Sequence, residues 1–164
     1  MEWWGIARAL HLLGVVLWIG GVAMVTLVLL PSIRGTAGPD SMALFERLEH
    51  RFAHQSRWTT VLVGASGLYM VHSANLWHRF GELDYWWMHA MLLVWAAFMI
   101  VLFVLEPLVL HRWFAQHARE RPESALRIIS GMHWVLLSAS LITIAGAAAG
   151  SHGVQLFAIL SVLR

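Results

Sequence analysis

The chain contains no cysteine and no lysine, and only nine acidic residues among its 164. Without cysteine there can be no disulfide, thiolate haem ligation, iron–sulfur cluster or covalent haem attachment through a C-x-x-C-H motif. Any haem would be held non-covalently, as a b-type. All eleven basic residues are arginine, and the formal net charge is only +2. So slight an excess gives no support for a nucleic-acid partner, and arginines in loops belong at a membrane surface.

What is present is apolar. Hydrophobic residues make up 59% of the chain against 12% charged, with ten Trp and ten His. That balance predicts a single all-α domain over residues 1–164, an integral membrane up-down four-helix bundle. The first span covers 3–30, longer than the roughly 20 residues a bilayer core requires. No basic leader, short apolar core and small-residue cleavage site precede it, so it is expected to be a retained helix. It is predicted to end near Pro31-Ser-Ile-Arg-Gly, before a loop rich in helix breakers and N-cap candidates, Thr36 to Ser41.

Residues 42–57 alternate Leu44, Phe45, Leu48 and Phe52 with Glu46, Arg47, Glu49 and Arg51, which predicts an interfacial amphipathic extension before helix two. The second span is placed at 58–74, the third at 85–110 and the fourth at 128–150. Pro107 predicts a kink near the end of the third. The apolar tail 154–163 is too short to cross and is expected to fold back along the interface. Trp3, Trp4, Trp58, Trp77, Trp86, Trp87, Trp113 and Trp134 lie near span ends, as an aromatic belt would place them. No internal repeat or low-complexity segment is apparent.

Arginine distribution sets the expected orientation. Arg34, Arg47, Arg51, Arg57, Arg112, Arg119, Arg121 and Arg127 fall in the first and third loops, and Arg8, Arg79 and Arg164 on the other side. Both termini are therefore predicted on the non-cytoplasmic side of a bacterial-type inner membrane. Within the first span, His11, Gly14, Trp18 and Gly21 share one helical face. A histidine beside two glycines suits a flat ligand such as a porphyrin, whose iron takes imidazole and whose ring needs room. The same spacing also serves close helix packing, with the histidine hydrogen-bonded to a neighbouring helix.

At ~1.5 Å per residue from the inner boundaries, His11 and His89 reach similar heights, and the first and third helices of such a bundle are diagonal neighbours. The pair can thus approach one haem iron from opposite faces. Arg8, one turn before His11, is a candidate partner for a haem propionate, or else snorkels to lipid headgroups. His72 and His152 make a second candidate site between helices two and four, or are interfacial histidines beside small residues. His54 and His133 near the inner side are candidates to flank a second haem. His50, His78, His111 and His117 lie in polar or boundary stretches and need no special role. Glu106 is a candidate proton-relay carboxylate, or an ion-pair partner of Arg112.

Two stretches carry a resemblance: Ala-Leu-His11-Leu-Leu-Gly-Val-Val-Leu-Trp18-Ile-Gly-Gly, and Trp87-Met-His89-Ala-Met91-Leu-Leu. They resemble the small membrane proteins grouped around the CopD copper-resistance domain and the HemJ-type protoporphyrinogen oxidases. HemJ-type proteins are four-helix b-haem proteins with a first-helix histidine and a third-helix W-x-H-x-K pattern. The resemblance implies that His11 and His89 occupy the family's histidine positions. The lysine position is Met91 here, so what carries over is haem binding rather than protoporphyrinogen oxidation. A CopD-like resemblance implies copper handling instead, with Met70, His72, Met88, His89 and Met91 as soft and imidazole donors.

The function expected is that of a cytochrome b-like protein in electron transfer, oxidising quinol or another small apolar reductant, with copper binding or transport as the alternative. His11 and His89 are the expected haem ligands, with Arg8, Gly14 and Trp18 around them. Partners expected are membrane lipid, the quinol or other redox partner and, in a homo-oligomer, a second copy of the chain.

Overall fold

The computed structural model describes residues 2–34, 39–110 and 122–153, and within them the protein is all-helical. Four long helical rods account for nearly all of it. The first comprises α1 (Glu2–Met24), a π-helical turn (Val25–Leu29) and the short α2 (Leu30–Arg34). The second is α3 (Pro39–Ser73), 35 residues long. The third is α4 (Trp86–Ile100) running into a π-helical stretch (Val101–Leu110), and the fourth is α5 (Pro122–Ser151).

Three rods are long and apolar enough to cross a membrane, Trp3–Ile33, Leu83–Leu108 and Glu123–Ser151. Their outward faces carry large apolar side chains such as Leu13, Leu93 and Val135, each at least 60% exposed. In water such a surface would be untenable; in lipid it is the solvent-matched one. The expected second span does form a helix, yet α3 falls short of that apolar standard. Ser56, Thr59, Thr60 and Ser66 punctuate it, all four buried against its neighbours. The amphipathic stretch expected before it is no separate extension but the first half of the same helix, and its Phe52 packs on Gly21 of α1.

Contacts between rods run in opposite senses along the chain. Gly14 lies against Val63 and Gly21 against Phe52, so α1 and α3 are antiparallel. Trp95 lies on Gly64 while Arg57 reaches Glu106, so α3 and α4 are antiparallel too. Trp18, Ile19, Val22, Val63, Phe98, Leu102 and Leu137 form the central apolar cluster, with the Trp18 and Phe98 rings edge to face at 4.7 Å. Trp86 and Trp87, expected in the aromatic belt, instead pack on Gly146 and Gly150 of α5. Trp3, Trp58, Trp77 and Trp134 are exposed, as a belt requires.

Helix ends have local causes. Asn75 adopts a left-handed conformation (φ 52°), Leu76 N–H donates to Val71 O at 2.9 Å and Asn75 N–H to His72 O at 3.1 Å. That is a Schellman ending with asparagine in glycine's usual place. Gly153 is also left-handed, at φ 84°, just after α5, and its N–H donates to Gly150 O at 3.2 Å. Pro31 lies inside the first rod, which is described as far as Arg34, within the Pro31-Ser-Ile-Arg-Gly stretch where the sequence predicts the span to end. The wider π turn just before it, where Leu30 N–H donates to Val25 O, accommodates the ring that would strike a carbonyl in a regular α-helix.

Pro107 is handled similarly, within a π-helical stretch. There each carbonyl looks to the N–H five residues on, and for Leu102 that residue is the proline. The freed Leu102 O accepts instead from Arg57 Nε at 3.3 Å, while Arg57 Nη2 meets Glu106 Oε1 at 3.0 Å. Glu106 is therefore the partner of Arg57; the alternative partner Arg112 lies outside the described residues. So do His111, Trp113, His117, Arg119, Arg121 and the tail 154–163.

Arg57 thus replaces a backbone donor that Pro107 lacks. Arg57→Met should destabilise the protein by about 1.5–3 kcal/mol, the usual range for a hydrogen bond to a charged group. In a Pro107→Ala background, where an N–H is restored, the loss should be smaller. Unfolding in detergent micelles across the double-mutant cycle measures this, and equal losses in both backgrounds would refute the substitution of one donor for the other.

Candidate functional site

His11 sits half-buried on α1, facing α3. Its ring rests on Gly67, where a Cβ would lie 3.2 Å from His11 Cε1. Nδ1 is 3.0 Å from Val63 O and 3.1 Å from Ser66 Oγ. A carbonyl oxygen can only accept, so Nδ1 carries the proton. Ser66 has its own hydroxyl hydrogen directed to Leu62 O at 2.6 Å, leaving its oxygen free to share the His11 N–H. The outcome is one tautomer with the Nε2 lone pair unbonded.

His89 shows the mirror arrangement. Its Nε2 donates to Phe80 O at 3.0 Å, and the Phe80 ring meets the imidazole edge-on with centroids 5.4 Å apart. Phe80 belongs to a short 3-10 helix, Trp77–Gly81, in the connection between α3 and α4. The fixed proton on Nε2 leaves Nδ1 as the lone pair. Metal-ligating histidines are commonly held in this way, with the second nitrogen donating to a carbonyl that fixes tautomer and ring orientation.

The Trp18–Phe98 contact sets the relative height of the two histidines. His11 lies seven residues before Trp18 and His89 nine before Phe98, so they stand about 10 and 14 Å above the same level. They do not hydrogen-bond to each other; each has its own protein partner. Nor are His72 and His152 joined: both are exposed, and His152 Nδ1 donates to Ala148 O of its own helix at 2.8 Å. His54 is exposed, while half-buried His133 donates from Nδ1 to Ile129 O at 2.9 Å. Among the described residues no group of three or more His, Asp or Glu side chains is arranged to hold a metal ion.

The residues expected around His11 divide. Gly14 is buried, but Val63 fills the notch beside it and a Cβ there would come within 2.8 Å of Val63 Cγ2. Gly21 is likewise covered by Phe52. Close helix packing, one of the two roles open to this spacing, is what both glycines serve. Arg8 is exposed, its guanidinium over the Trp4 ring at 5.7 Å. Trp18 is 3% exposed, with its indole N–H lacking a hydrogen-bond partner. Met88 is buried and Met91 half-buried on the helix that carries His89, and Met70 is half-buried on α3.

Sequence reasoning missed the groups that hold these histidines. Val63 and Phe80 act through carbonyl oxygens, which every residue possesses, so no residue type announces them. Ser66 offered the one legible signal, a hydroxyl among small residues on an otherwise apolar face.

The hydrogen bonds imply opposite tautomers for the two histidines. In ¹⁵N-histidine-labelled protein at neutral pH, His11 should be protonated at Nδ1 and His89 at Nε2. Ser66→Ala should leave the His11 tautomer unchanged, because the Val63 carbonyl remains. The same tautomer at both positions would contradict the arrangement. Compared with family models, with curated proteins and with solved structures, the chain matches none.

Proposed function

We propose that the protein is a b-type haem-binding membrane protein, similar in its histidine positions to the HemJ-type and CopD-domain proteins, and that it serves electron transfer. The observation that carries this is the pair of half-buried imidazoles, His11 and His89, each with one nitrogen tied to a backbone carbonyl and the other unbonded. Such donors fit a haem iron, which takes two neutral imidazoles from opposite faces. The glycine notch does not contribute, since Val63 occupies it. When bound, the haem would supply one-electron chemistry at a potential tuned by its surroundings. The chain's own part is to present the two imidazoles in fixed tautomers and to surround them with apolar side chains. A quinol or similar small apolar reductant is the partner in this reading.

The antiparallel contacts support an up-down bundle in which α3, its hydroxyl-bearing face buried against its neighbours and Leu68 and Val61 exposed outside, completes the crossing begun by the three apolar rods. With arginines concentrated at one end, both termini face the non-cytoplasmic side of a bacterial inner membrane. Copper binding is the second reading, favoured by buried Met88 and half-buried Met91 on the helix of His89. Thioethers are soft donors suited to Cu(I).

Reporter tags at the two termini should both appear on the non-cytoplasmic side; a cytoplasmic signal from either would reject the orientation. Purified protein should show sharp reduced-state α and Soret bands that are lost or become five-coordinate in His11→Ala and in His89→Ala. Met91→Leu should keep its haem, since such an exchange usually costs under ~1.5 kcal/mol. Copper that falls selectively in Met91→Leu, with no haem in either protein, would replace the haem reading with the copper one.

A further inference from the structure

A serine or threonine buried in a helix ordinarily satisfies its hydroxyl by donating to a carbonyl one turn back. Five buried hydroxyls follow this rule: Thr26 to Val22 O, Thr59 to Gln55 O, Ser66 to Leu62 O, Ser140 to Leu136 O and Thr143 to Ala139 O, at 2.6–3.1 Å. Ser56 and Thr60 do not. They are 1% and 0% exposed, and their hydroxyl oxygens have no hydrogen-bond partner. The same option was open to them on the same helix. The Trp18 indole N–H, in a residue 3% exposed, is a third such group.

The three groups share one level and one direction. Gly14 meets Val63 and Thr59, and Gly21 meets Phe52, which sets Trp18 of α1 level with Ser56 of α3. On α3, Phe52, Thr59 and Val63 face α1, whereas Arg57 and Gly64 face α4. At about 100° per residue, Ser56 and Thr60 point between these two directions, toward the middle of the molecule. Trp18 points there as well, its ring edge to face with Phe98 of α4. Ser56 and Thr60 are separated by one turn, about 5–6 Å between their Cβ atoms, the span that one bridging water covers.

We propose that Trp18, Ser56 and Thr60 bind water in the centre of the protein. A buried water takes two to four polar partners, and here an indole N–H donates to its oxygen while the two hydroxyls offer acceptors and further donors. Left dry, each group would carry a desolvation penalty that the neighbouring hydroxyls avoid. The water site is independent of haem. It lies one residue along α3 from Arg57 and its ion pair with Glu106. It brings exchangeable protons to within about 9 Å, along the helix, of Ser66 and thus of His11.

The test uses the full chain in micelles with ¹⁵N-labelled indoles, the Trp18 signal identified by its loss in Trp18→Phe. Trp95 is the internal control at the same level, because its indole donates to Thr60 O at 3.0 Å. The Trp18 N–H should show a cross-peak to water and exchange in D₂O at least tenfold faster than that of Trp95; equal protection of the two would overturn the proposal. Ser56→Ala combined with Thr60→Val should remove the Trp18 water cross-peak and lower Tm. Thr60→Ser, which keeps the hydroxyl, should retain the wild-type cross-peak. A double variant with higher Tm and an unchanged Trp18 signal would mean that the hydroxyls were dry, and the proposal would fall. Should the double variant fail to fold, the Trp18 to Trp95 exchange ratio in the wild-type chain decides alone.

Discussion

A carbonyl or N–H facing hydrocarbon has no water to turn to, so each backbone group in a membrane-spanning rod must find its partner within the protein. Here that constraint is felt most at the prolines. Pro107 takes away the N–H that Leu102 O would have used, and the Arg57 side chain crosses from α3 to supply the donor. The cation so introduced is paired with Glu106, one residue before the proline. An arginine of α3 and a Glu-Pro pair of the third rod, 49 residues apart from Arg57 to Glu106, are thus one structural unit. Pro31 needs no such helper of its own, since its helix widens into a π turn just before it.

Helices with apolar outer faces gain little from hiding those faces on one another, because lipid is as apolar as leucine. Close packing and polar contacts must hold them instead. Gly14 and Gly21 let α3 approach α1, while Gly64, Gly146 and Gly150 receive the faces of Trp95, Trp86 and Trp87. The glycine against tryptophan pairing recurs at three places, and it turns two tryptophans that belonged by position to the interface into packing residues. Buried hydroxyls, most satisfied by their own helix, line the same contacts.

The candidate site grows out of this packing. Because α1 comes so near α3, the His11 imidazole can lie on Gly67 and donate to the Val63 carbonyl. Because the connection after α3 is closed by a left-handed Asn75 and a tight 3-10 turn, Phe80 O is brought to His89. Each histidine is held in one tautomer by a carbonyl, and each thereby retains one lone pair. The proposed metal-centred role rests on those two lone pairs, and the common level of Trp18 and Phe98 puts the two imidazoles at similar heights.

The sequence alone pointed to an all-helical chain with rods apolar enough to cross a membrane, because scarce charge and long apolar runs leave few alternatives. It also singled out His11 and His89, since an ionisable side chain in an apolar run is conspicuous. It could not show that Pro31 lies inside a helix, that residues 42–57 continue into α3, or that Glu106 pairs with Arg57, because each depends on what a neighbouring rod or a widened turn supplies. Periodicity names the face on which Gly14 and Gly21 lie, but not what fills the space they clear; only the approach of α3 decided that Val63 and Phe52 do. The groups that orient the histidines are mainly backbone carbonyls, identical at every residue, so tertiary packing alone selects Val63 and Phe80 from among them.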